Sequence, residues 1–135
     1  MKRFHSKILE YPGLAAKVSF AGPDAVVDYK NPNSKFDSEG WLRNTALDLD
    51  SIIGIYDLHA YPGQAEMRSA IYGELLAKYK RHVPSGKKIV LGEAGYKYWR
   101  IADSLLMKEY NRRLIDHPFT KGSDCNMLVF DYFYG

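Results

Sequence analysis

The apolar positions of the chain fall into two kinds of pattern, and the two alternate. Short continuous apolar runs bounded by Gly or Pro read as strands buried on both faces. Longer stretches with an apolar residue every three or four positions read as helices packed on those strands. Phe4, Ile8 and Leu9 lie on one side of a helix from Met1 to about Tyr11, stopped by Pro12-Gly13. Leu14 to Phe20 predicts a first buried strand, broken by Gly22-Pro23-Asp24. Tyr29 to Gly40 is rich in Asn, Pro, Ser and Asp and reads as a long loop. Asp37 or Ser38 can then cap a short helix holding Trp41, Leu42, Ala46 and Leu47. Ile52 to His59 predicts the second strand, ended by Tyr61-Pro62-Gly63. Met67, Ala70, Ile71, Leu75 and Tyr79 recur near the helical period and predict a helix over Glu66 to His82. Pro84-Ser85-Gly86 turns the chain into a third strand, Lys88 to Glu93. Ile101, Leu105, Tyr110 and Leu114 mark a further helix from Ile101 to Ile115, and Met127 to Tyr134 predicts the fourth strand.

Strands separated by helices at this spacing imply a parallel sheet with crossover helices, an α/β fold. Two architectures satisfy the pattern: an open doubly wound sheet, or an arc of a (β/α)8 barrel. No glycine-rich phosphate fingerprint follows the first strand, because Gly22-Pro23-Asp24 does not match G-x-G-x-x-G. The chain opens inside a helix and stops directly after a strand, so residues 1–135 are expected to form one partial domain. Both architectures put their chemistry at the C-terminal ends of the strands. Those ends read Phe20-Ala21-Gly22-Pro23, Asp57-Leu58-His59-Ala60-Tyr61, Gly92-Glu93-Ala94-Gly95 and Asp131-Tyr132-Phe133-Tyr134.

Composition narrows the classes. With 46% hydrophobic and 26% charged residues the chain can build a core, which excludes disorder as its main state. Cys125 is the single cysteine, so no intrachain disulfide or cysteine-based zinc cluster is available, and a small buried residue is the plain reading of it. A net charge of +3 is too mild to point to nucleic acid. The basic run Lys78, Lys80, Arg81, His82, Lys87 and Lys88 reads as a solvated helix end. The apolar runs fall short of the ~20 residues of a membrane span. The basic start leads into no apolar signal region, so the compartment stays open.

Glu93 is the sharpest candidate residue. It ends an apolar strand, with Gly92 and Ala94 leaving room beside it. Glycoside hydrolysis needs such a carboxylate together with a second across the scissile bond. The plainer reading is a strand-exit Glu that caps the next helix or pairs with Lys97. His59 and Tyr61 leave the second strand on one face, because side chains alternate with period two. They can bond a sugar or orient a neighbouring carboxylate; otherwise they are a His under a loop and a Tyr packed on Pro62. Tyr96, Tyr98 and Trp99 can stack against sugar rings or plug the loop. No metal site is expected, since His5, His82 and His117 do not cluster with His59 along the chain.

Together, Val18-Ser19-Phe20-Ala21-Gly22-Pro23, Tyr56-Asp57-Leu58-His59-Ala60-Tyr61-Pro62 and Lys88-Ile89-Val90-Leu91-Gly92-Glu93-Ala94-Gly95 resemble the C-terminal half of a clan A glycoside hydrolase. The resemblance covers nearly the whole chain and implies strands five to eight of a (β/α)8 TIM barrel with their connecting helices. It implies a hydrolase that cleaves O-glycosidic bonds by retaining double displacement, with Glu93 as nucleophile and an oligo- or polysaccharide as substrate. His59 and Tyr61 match the family's His-x-Tyr beside the nucleophile, and Gly22-Pro23 matches its Gly-Pro after strand five. Tyr98, Trp99, Asp131 and Tyr132 are the further substrate-binding candidates. No cofactor is implied, and a secreted or periplasmic parent enzyme fits the activity. Two departures stand out. The family's acid/base Glu ends strand four, upstream of Met1, and the family's Trp at strand eight is replaced by Asp131-Tyr132-Phe133-Tyr134.

The chain alone is therefore expected to turn over little. Asp24, Asp57 and Asp131 lie at or near strand ends as conceivable substitute acids, with Asp57 on the face of His59 one layer lower. Unpaired edges at Ala15–Phe20 and Met127–Tyr134 are expected to promote self-association. The alternative of another class is a non-catalytic half-barrel that binds carbohydrate or a partner through its aromatic loops.

Overall fold

The computed structural model describes residues 1–27, 37–61 and 71–94, the helical positions 108, 109, 112 and 116, and residues 127–129. Its elements run α1 (Lys2–Leu9), α2 (Pro12–Ala15), β1 (Phe20–Val27), α3 (Ser38–Leu49), β2 (Ile53–Ala60), α4 (Ile71–Lys80), β3 (Lys88–Ala94) and β4 (Met127–Val129). The strands form one parallel sheet in the order β1-β2-β3-β4. Three residues of β4 are among those described.

The first strand lies later than the apolar run suggested. Leu14 to Phe20 is not a strand: Pro12 sits at the start of the one-turn α2, and the chain enters β1 only at Phe20. Proline's fixed φ suits the first position of a helix, and Leu14-Ala15-Ala16 are strong helix formers. The β-branched pair Val26-Val27 belongs to the strand proper. Gly22-Pro23-Asp24 is accordingly no breaker. It lies inside β1 as a bulge, with Pro23 and Asp24 placed between the pairs Gly22↔Tyr56 and Ala25↔Leu58. The Pro23 carbonyl accepts from Trp41 Nε1 at 3.2 Å instead of from the sheet.

α3 begins as its sequence predicts. Asp37 is the N-cap, and its carboxylate accepts the Gly40 N–H at 2.9 Å. Ser38 donates to the Val26 carbonyl at 2.5 Å and ties the helix start to the end of β1. α4 falls inside the predicted Glu66–His82 span, and Lys108, Glu109, Arg112 and Asp116 are helical, one position past the predicted Ile115 end.

The core shows which face the helices cover. Leu42 of α3 and Leu76 and Tyr79 of α4 are buried in one cluster with Ala25, Val27, Tyr56, Leu58, Ala60, Ile89 and Leu91. Period-two alternation then assigns Asp57 and His59 to the opposite face of β2. Both described crossover helices thus lie on the same side of the sheet, and the strand order shows no reversal. Over the described residues the winding is thus on one side, as in an arc of a barrel or in one half of a doubly wound sheet. The described sheet is open, with β1 and β4 at its two edges.

At the N-terminal end of the sheet, Lys87 donates to the carbonyls of Asp50 and Ile53, each at 2.6 Å, and closes the C-terminus of α3. Tyr56 Oη donates to Asp50 at 3.2 Å, and burial first, then the Asp50 charge, pushes its phenol up to about 12. Lys78 and His82 both engage Glu39. The basic run is thus not simply a solvated end; three of its members are tied to neighbouring elements. The self-association edge also moves, from Ala15–Phe20 to Phe20–Val27. Pro23 and the bulge interrupt that edge, features that blunt a strand against pairing.

Candidate active site

Five side chains converge on the C-terminal half of β2 and its neighbours. Tyr61 Oη donates to Glu93 Oε2 at 2.5 Å. His59 Nδ1 faces the same oxygen at 3.5 Å, and its Nε2 faces Asp57 Oδ2 at 3.8 Å. Asp24, in the bulge of β1, brings a carboxylate oxygen within 4.8 Å of one of Asp57. The row Asp24, Asp57, His59, Glu93, Tyr61 spans three adjacent strands on the face opposite α3 and α4.

Two irregularities in the sheet build this row. In β3, Leu58 pairs with Leu91 but His59 pairs with Glu93, so Gly92 is an extra residue. Its N–H leaves the ladder and donates to Asp57 Oδ1 at 2.8 Å. A Cβ at position 92 would fall on the Asp57 carboxylate, so only glycine permits this approach. The extra residue also restores the parity that places Glu93 beside His59. In β1, Asp24 has φ 57°, a left-handed backbone that Asp tolerates better than most residues. Both neighbours of β2 therefore bulge around Asp57.

Exposure is graded along the row. The Glu93 side chain is 42% exposed, against 17% for His59 and 16% for Asp57. Glu93 is thus the most exposed of the three, with Asp57 and His59 part-buried behind it. Burial pushes the Asp57 carboxyl up, and the neighbouring Asp24 adds to that. The Gly92 N–H and the facing His59 pull it the other way.

Of the sequence candidates, the structure brings together Glu93, His59 and Tyr61. Tyr98, Trp99, Asp131 and Tyr132 lie outside the described residues, as do Lys97 and Cys125. Gly22-Pro23 lies within β1, not after it, and its place in the site is to carry Asp24 forward. The sequence reading did not foresee the two bulges. The signal for the second was present: a lone Gly in an apolar strand, at Leu91-Gly92-Glu93, often marks one. Asp24, Asp57 and His59 also bring donor atoms within 4.8 Å of one another, a group of candidate metal ligands that the spacing of the histidines did not suggest. No family model, curated protein or solved structure matches the chain.

Proposed function

We propose that this chain carries the nucleophile side of a retaining glycoside hydrolase site, on an arc of a (β/α)8 barrel. The observation that carries the reading is the half-exposed Glu93 carboxylate at the end of β3, gripped at one oxygen by Tyr61. The unreversed strand order and the helices on one face support the barrel, because a barrel arc needs both. The face opposite α3 and α4, with its polar row, then corresponds to the barrel interior, where such enzymes place their carboxylates.

In this reading Tyr61 and His59 both address Oε2 and fix the rotation of the carboxylate, leaving Oε1 to attack. The new bond forms between Oε1 and the anomeric carbon as the glycosidic C–O bond breaks, and the leaving oxygen takes the electron pair. Water then cleaves the glycosyl ester and restores Glu93. The proton for a poor leaving group comes from a second carboxyl that the row around Glu93 does not supply.

The test is covalent trapping. The purified chain is incubated with a panel of 2,4-dinitrophenyl 2-deoxy-2-fluoroglycosides, whose leaving group needs little acid help. Intact mass and peptide mapping are expected to place one glycosyl adduct on Glu93, and none in Glu93→Gln. An adduct that persists in Glu93→Gln, or no adduct with any sugar, overturns the reading. Polysaccharide binding without an adduct supports the non-catalytic alternative.

A further inference from the structure

We propose that Asp57 is a positioning residue for Glu93: one carboxylate oxygen holds the Gly92 bulge that precedes Glu93, and the other faces the His59 ring that faces Glu93. Naming Glu93 as the group to be positioned rests on the hydrolase reading; the linkage itself rests on geometry alone.

Two separate paths run from Asp57 to Glu93. The backbone path is short. Gly92 is the residue immediately before Glu93, and its N–H donates to Asp57 Oδ1 at 2.8 Å, not to the ladder. Without that acceptor, the Gly92 N–H loses its partner in a part-buried site, and the bulge that sets the direction of Glu93 loses its anchor. The side-chain path runs through the imidazole. Asp57 Oδ2 lies 3.8 Å from His59 Nε2, and His59 Nδ1 lies 3.5 Å from Glu93 Oε2. A carboxylate facing one ring nitrogen biases which nitrogen carries the proton, and so what the ring presents to its other neighbour. The groups that face Asp57 are Asp24 from β1, His59 from β2 and the Gly92 N–H from β3. A part-buried carboxylate beside a second carboxylate is a costly arrangement for the fold. Asp57 has one anchor on the strand that bears Glu93 and a second contact on the ring beside it, a pattern that fits a positioning role better than a packing role.

The linkage is testable without turnover. The full chain, labelled with ¹³C and ¹⁵N, is titrated by NMR as wild type, Asp57→Asn and Gly92→Ala. In the wild type, the Gly92 amide proton is expected to shift with the same midpoint as the Asp57 carboxyl carbon. The Glu93 carboxyl carbon is expected to show an inflection at that midpoint. In Asp57→Asn, which keeps the shape but removes the charge, both responses should vanish while the Leu58 and Leu91 amides keep their positions. Gly92→Ala should abolish the Glu93 inflection from the other side by displacing the carboxylate. A wild-type Glu93 curve with no inflection at the Asp57 midpoint overturns the proposal, and this measurement needs no variant to fold. A Glu93 curve in Asp57→Asn that superimposes on the wild type also overturns it. If trapping on Glu93 fails while the NMR linkage is seen, the hydrolase reading falls and the linkage stands.

Discussion

Among the described residues, the Tyr61 hydroxyl makes the shortest contact with the Glu93 carboxylate. A neutral donor on a carboxylate is worth about 1.5–3 kcal/mol when the acceptor is charged, and Tyr61 donates to Oε2 at 2.5 Å. Tyr61→Phe keeps the ring and removes only that donor. The expected outcome is roughly 10–100-fold slower glycosyl transfer to Glu93 in the trapping experiment, with the urea midpoint nearly unchanged. Equal trapping rates in the two proteins would show that the hydrogen bond does not aim the carboxylate. At this scale the sequence was informative where side chains follow strand alternation. His59 and Tyr61 were placed on one face by their spacing alone, and Glu93 by its position at a strand end. The sequence was less informative where backbone irregularity decides. Asp24 reaches Asp57 because of an extra residue in β1, and Asp57 meets the Gly92 amide because of an extra residue in β3. Local pattern can suggest a bulge but cannot say which neighbour it will face.

Among the elements, the helices were easier to locate than the first strand. Asp37 announced the start of α3 because a short acceptor side chain just before a helix satisfies an N–H that the helix cannot. β1 was misplaced because Leu14-Ala15-Ala16 is apolar enough for a strand, yet follows a proline that favours a turn of helix. The link between α3 and α4 also escaped the sequence, since it joins residues more than thirty positions apart. Glu39 in the first turn of α3 meets Lys78 near the end of α4, and His82 Nε2 lies 2.9 Å from its other oxygen. The Lys78 hydrogen bond, more than any other contact, holds the Glu39 carboxyl below its ordinary value of 4.5; burial opposes it, and His82 adds to the lowering. A carboxyl whose folded-state value is lowered stabilises the fold fully above its unfolded value. That contribution is lost as pH falls through the folded value. Glu39→Gln should therefore be less stable than the wild type near pH 6, and the gap should narrow as pH drops below the ordinary Glu range. Urea unfolding of both proteins across about pH 6 to 3 measures this, and a gap that stays constant throughout would contradict it.

For the molecule as a whole, strand order and helix placement describe a parallel α/β sheet whose described crossover helices share one face. The burial of Leu42, Leu76 and Tyr79 against that face is what an arc of a barrel requires, and one half of a doubly wound sheet has it too. The same fact leaves the polar row facing away from the helices, with Glu93 at its accessible end. On that face, among the described residues, the carboxyls linked to Glu93 are Asp57, by way of His59 and Gly92, and Asp24 beyond it. Asp57 pairs with Val90, a layer below the level at which His59 pairs with Glu93, and it is engaged by Gly92 and Asp24. A retaining mechanism needs its acid about 5–5.5 Å from the nucleophile, across the sugar, and a carboxyl tied beneath the nucleophile cannot reach the leaving oxygen. General acid assistance is typically worth about 10²–10⁴-fold. The rate of glycosyl transfer by this chain should therefore depend steeply on how well the leaving group departs unaided. Dinitrophenyl glycosides should react, nitrophenyl glycosides much more slowly, and simple alkyl glycosides or oligosaccharides below detection. A series of aryl glycosides of graded phenol acidity tests this directly. A rate that barely changes along the series, and that falls in Asp57→Asn, would mean that Asp57 delivers the proton after all.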